Sequence, residues 1–112
     1  MPYDRGLSER LEAICGRRPG MAEKKMFGGI GWMLDGNMVA GVYKDFLIVR
    51  VGEEGARLLL KEKFVKPMDI TGKPMKGWLM VSPRGYESDA DLRRYTEAAV
   101  AFAKTLPPKS YQ

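Results

Sequence analysis

The chain has no histidine and a single cysteine, Cys15. Without histidine it lacks the commonest general base, the Ser–His and Cys–His dyads, and the ligand of most zinc and iron sites. One cysteine excludes an internal disulfide, a CxxC redox pair and a thiolate cage, and it points to a reducing compartment. No apolar run approaches the roughly 20 residues that span a bilayer, and the N-terminus has no apolar signal-peptide core. A cytoplasmic protein without a membrane partner is expected. Long basic runs are missing too. The formal charge is +5, from 19 lysines and arginines against 14 acidic residues. Arg17-Arg18, Lys24-Lys25 and Arg93-Arg94 are the only adjacent basic pairs. A mildly basic solvated surface accounts for that pattern, and a polyanion partner stays open.

The 112 residues read as one domain, 1–112, long enough to bury a core without metal or disulfide. Its centre is Glu23 to Val51. Strand-length apolar runs there are rich in β-branched and aromatic residues and are punctuated by turns at Asp35-Gly36 and Lys44-Asp45. A helix precedes this meander: Asp4 is its N-cap, Leu7, Leu11 and Ile14 form its apolar stripe, and Gly16 stops it in the left-handed conformation. A second helix spans about Glu53 to Lys63, with Glu53 and Arg57 paired and Ala56, Leu59, Leu60 and Phe64 buried. Lys66 to Gly77 repeats Lys-Pro-Met, and its prolines confine it to edges and turns. A short edge strand near Met68–Ile70 and a returning strand ending at Val81 are expected there. Ser88 to Asp91 is a capping box opening a last helix, with Leu92, Tyr95, Ala99, Phe102 and Leu106 on its apolar face. The fold class is α+β. An antiparallel sheet of about five to six strands carries helices on one face, in the order αβββ(β)αββα.

No stretch of the chain forms a recognisable catalytic, cofactor or metal site. Cys15 lies late in an amphipathic helix and reads as packing; a helix C-terminus would not favour its thiolate. Met26 to Gly31 is glycine-rich, but a phosphate loop needs a helix N-terminus after the glycines. These lead into a strand, so they read as a bend or bulge that lets a helix approach the sheet. Asp69 has no local structural explanation and is kept as a candidate. Phe27, Trp32, Tyr43, Phe46 and Trp78 fall on strands, as packing against helices or as an RNA-stacking surface with Lys24, Lys25, Arg50 and Lys76 as cationic neighbours. Met26, Met33, Met38, Met68, Met75 and Met80 lie in or beside strands, either filling core gaps or offering an adaptable surface.

Several dispersed motifs carry a family resemblance. Glu23-Lys24-Lys25-Met26-Phe27-Gly28-Gly29, Gly36-Asn37-Met38, Val49-Arg50-Val51-Gly52 and Pro67 through Trp78 together resemble the N-terminal domain of the TfoX/Sxy family. The resemblance covers nearly the whole chain. It implies a secretion-chaperone-like α+β fold, a homodimer, and a regulatory role, since named members activate bacterial competence genes. Full-length regulators carry a further C-terminal domain with helix-hairpin-helix-like character, which would begin where this sequence stops, so the chain looks like a stand-alone copy.

Three functions follow as expectations. The leading one is a non-catalytic regulatory interaction domain, homodimeric, with a protein partner in transcription regulation; it predicts apolar surface left over after the core is filled. The second is direct nucleic-acid binding, which predicts that Arg17, Arg18, Lys24, Lys25 and Lys76 converge. The third is an enzyme of unrecognised chemistry, which requires a concave pocket of convergent polar groups. The candidate interaction residues are Arg17, Arg18, Lys24, Lys25, Phe27, Asp69, Lys76 and Trp78.

Overall fold

Asp35-Gly36 sets the first long-range pairing of the chain. Asp35 at φ 49° and Gly36 at φ 85° give the two consecutive left-handed residues of a tight hairpin whose twist matches its strands. This turn joins β2 (Gly29–Leu34) to β3 (Asn37–Tyr43). On either side are β1 (Met21–Met26) and β4 (Phe46–Arg50), so the expected meander forms as four antiparallel neighbours. The computed structural model describes residues 3–26, 28–70 and 72–109. Three helices, α1 (Arg5–Cys15), α2 (Gly52–Leu59) and α3 (Asp89–Ala103), and the strands β5 (Val65–Pro67) and β6 (Trp78–Val81) complete it. The six strands form one antiparallel sheet in the order β1-β2-β3-β4-β6-β5.

All three helices cover one face of this sheet. Leu7 and Leu11 of α1, Ala56 of α2, and Leu92, Tyr95 and Ala99 of α3 pack against Ile30, Trp32, Leu34, Ala40, Val42, Leu47, Val49, Leu79 and Val81. Because strand side chains alternate, the residues between these point to the opposite face. There Ile48, Met68 and Met80 form a second buried cluster, flanked by Tyr43, Phe46, Ile70, Met75 and Trp78.

Helix starts follow the expected caps. Asp4 accepts from the Leu7 N–H at 3.0 Å, and Ser88 accepts from the Asp91 N–H at 3.1 Å. Helix ends differ. Gly16 is right-handed at φ −63°, and the left-handed residue of that connection is Gly20. α2 stops at Leu59, short of Lys63: the Lys61 and Glu62 N–H groups bond three residues back to the Leu58 and Leu59 carbonyls, and the Glu62 side chain meets Arg94 and Tyr95 of α3. Arg57 pairs with Glu54 one turn back rather than with Glu53. Leu60, expected inside, is 40% exposed. α3 ends at Ala103, leaving Leu106 beyond it. The edge strand is Val65–Pro67 rather than Met68–Ile70, with the donorless Pro67 as its last residue. Gly29 admits a neighbouring strand, not a helix: a Cβ on it would lie 1.9 Å from the Val42 carbonyl oxygen.

Candidate interaction surfaces

The methionines are sorted by face. Register places Met26, Met33 and Met38 on the side away from the helices, and Met68, Met75 and Met80 belong to the second cluster there. Six of the eight methionines therefore line one side of the sheet. The residues across from each other in its middle are Gly31 and Gly41. Their missing side chains leave a trough, filled by sulfur and methyl groups of Met26 and Met38 that stand 3.0–3.1 Å from where a Cβ would be. Unbranched thioethers suit such a floor because they repack at little cost. Beside it, an open hollow of about 460 Å³ is bordered by Ala22, Lys24, Met33, Asp35 and Lys109. The C-terminal segment is held near this hollow, the Lys109 N–H donating to the Asp35 carbonyl at 2.8 Å and the Asn37 amide to the Pro107 carbonyl at 2.9 Å.

Three aromatic rings stand on the same face, and each has a cation over it. Lys44 lies 5.4 Å from the Tyr43 ring centre, Lys66 4.9 Å from Phe46, and Arg50 5.5 Å from Trp78. Trp32 alone among the described strand aromatics packs under the helices. Its indole N–H is buried and has no partner among the described residues.

The candidate cations do not converge. Arg18 donates to the Ile14 carbonyl and to Glu97 of α3 at 2.5 Å, tying the first connection to the last helix. Arg17 is exposed in that connection. Lys24 and Lys25 are both exposed but point to opposite faces of β1. Lys76 is exposed just before β6, four strand spacings or roughly 19 Å from β1. Asp69 is exposed in the loop after β5, its carbonyl accepting from Gly72. Trp78 is half-buried beneath Arg50. Phe27 lies outside the described residues. Sequence reasoning missed Lys44 and Lys66 as ring partners, although each immediately follows or approaches a strand end. It also passed over Glu23, whose alternation with Lys25 was visible.

With this geometry established, a family model described as the TfoX N-terminal domain matches residues 13–103. The chain belongs to the TfoX N-terminal domain family. No curated protein and no solved structure matches it. The matched TfoX region takes in the sheet, α2 and α3, while the first two turns of α1 and the Pro107–Lys109 segment lie outside it. Within this TfoX domain, no three His, Cys, Asp or Glu side chains among the described residues come together as metal ligands would. No helix among them is long and apolar enough to cross a membrane. Burial pushes the Cys15 thiol up to about 11, with Arg18 opposing and Glu97 adding to the shift. That environment keeps it a packing residue with little thiolate.

Proposed function

We propose that this TfoX N-terminal domain is a non-catalytic regulatory module that acts through protein contacts and as a homodimer. The methionine-lined face carries the reading. A core needs one face of the sheet, and the helices fill it; on the second face Met38, Met68 and Met80 are already buried, and the half-buried Met26, Met33 and Met75 are the thioethers that can adapt to a partner. The regulatory half comes from the family, whose fold alone does not dictate an activity. A cytoplasmic location fits the single reduced cysteine.

The test is the mass of the purified chain by light scattering across a concentration series, alongside titration with DNA and RNA at several salt concentrations. Twice the chain mass and weak, shallow polyanion binding are expected. A chain that stays monomeric and binds nucleic acid steeply with salt would replace this reading by the second one. That alternative is favoured by the three ring–cation pairs, since aromatic faces flanked by lysine and arginine suit stacked bases.

A further inference from the structure

The two edges of the sheet differ. One is β5, three residues long and ended by Pro67. The other is β1, six residues long, with its four central residues exposed. The Asp35 N–H donates to the Gly20 carbonyl at 2.9 Å. Register then places the backbone groups of Ala22, Lys24 and Met26 toward β2. The N–H and C=O groups of Glu23 and Lys25 therefore face outward. No other strand or loop among the described residues bonds them. An edge of this kind is a template for another strand.

We infer that the β1 edge is the seam of the homodimer: two copies pair β1 against β1 in antiparallel fashion, about a two-fold axis through Lys24. The inference deepens the homodimer reading and rests on it. Charge selects the register. Outward residues must face outward residues, so Glu23 can meet Glu23, Lys25 or Met21 of the second copy. Only the register centred on Lys24 sets Glu23 against Lys25, and symmetry makes that contact twice. Neither side chain has an ion pair among the described residues. Shifting by one outward step in either direction sets Glu23 against Glu23 or Lys25 against Lys25, which is unfavourable. The same register sets Ala22 beside Met26 of the second copy on the other face. The methionine faces of the two sheets then lie on one side, with the two Lys24 side chains between them. The two Lys24 residues meet at the axis, a like-charge contact that limits affinity. A seam of this length lies at the small end of specific interfaces, below about 1,200 Å², so a weak, concentration-dependent dimer is expected.

Sedimentation equilibrium of the whole chain from ~5 to ~500 μM measures the association, with Glu23→Lys, Lys25→Glu and the double exchange compared at equal salt. Each single change should weaken dimerisation about tenfold or more, and the double exchange should return it to within a few-fold of the parent. Lys24→Thr should tighten it. Amide exchange should show the Glu23 and Lys25 N–H groups gaining protection as concentration rises. These three positions are exposed, so circular dichroism should report the same fold in every variant. A monomer throughout the range would overturn both the seam and the homodimer. A dimer indifferent to both single changes would overturn the seam alone and leave the homodimer reading standing.

Discussion

Single side chains decide how this domain responds to pH. Cys15, Tyr86 and Tyr95 are all buried, and the last two donate to the Asp45 carbonyl at 2.7 Å and to Glu62 at 2.5 Å. Desolvation is the largest cause in each case, raising the thiol to about 11 and both phenols to about 12. A raised folded value stabilises the protonated form. That contribution is complete below the unfolded values of 9.0 and 10.0 and declines above them. Thermal melts should accordingly drop in midpoint as pH rises past about 9. Native Cys15 should react with a thiol reagent at pH 8 far more slowly than the same chain in urea, and equal rates would show that it is accessible. The acid side belongs to Glu62. Its carboxyl is held below the usual range, first by its hydrogen bonds from Arg94, with burial opposing. A lowered value gives stability that is present above the unfolded pKa, near 4.3, and lost as pH falls through the folded one. The pair is partly exposed, so Glu62→Gln should cost less than about 1 kcal/mol at pH 7, and that difference should shrink in melts as the pH is lowered through the acid range.

At the scale of elements, the β2–β3 pairing is the feature most exposed to small changes. Gly29 has an ordinary backbone conformation but no room, because the Val42 carbonyl occupies the place of a Cβ. Gly29→Ala should force the strands apart and cost more than about 3 kcal/mol in urea unfolding. Gly28, next to it, has φ +73° and open space around it. Gly28→Ala should therefore cost only about 1 kcal/mol, the penalty of a left-handed conformation alone. Similar costs at the two positions would show that β2 and β3 are not packed this closely. The glycine-rich run announced a special backbone, but which neighbour came close was not visible, because strand spacing depends on a partner thirteen residues away. The Ser88 cap and the α3 stripe were legible, being set within a single turn of helix. The C-terminal end of α2 was not, since its backbone tightens to three-residue bonds after Leu60 and the Glu62 side chain beyond it is met by Arg94 and Tyr95 of another helix.

Over the whole molecule, charge is dispersed rather than focused. Arg18 is committed to Glu97, Lys24 and Lys25 lie on opposite faces, and Lys76 stands on the far side of the sheet. Any polyanion should then meet few cations at once. The slope of log affinity against log salt should correspond to no more than about three phosphate contacts, measured by fluorescence titration with a single-stranded oligonucleotide. A steeper slope would mean that a patch such as Lys44, Arg50 and Lys66 gathers the strand. The face that carries this patch was half legible. Trp32, Tyr43, Phe46 and Trp78 were correctly placed on strands and the described methionines in or beside them, yet their side of the sheet depended on register, and a shift of one residue reverses it.

What the sequence determined by itself was local. Turn glycines, helix caps, the 3.6-residue stripe of α3 and the strand runs specified a helix-covered antiparallel sheet, because each depends on neighbours within a few positions. The missing histidine and lone cysteine narrowed the chemistry in the same way. The tertiary structure alone decided which side each methionine faces, which cations meet a ring or a carboxylate, and which of two edges stays open. Those outcomes follow from pairing between distant strands, where hydrogen-bond register couples every side chain on a strand to a partner that the local pattern does not name.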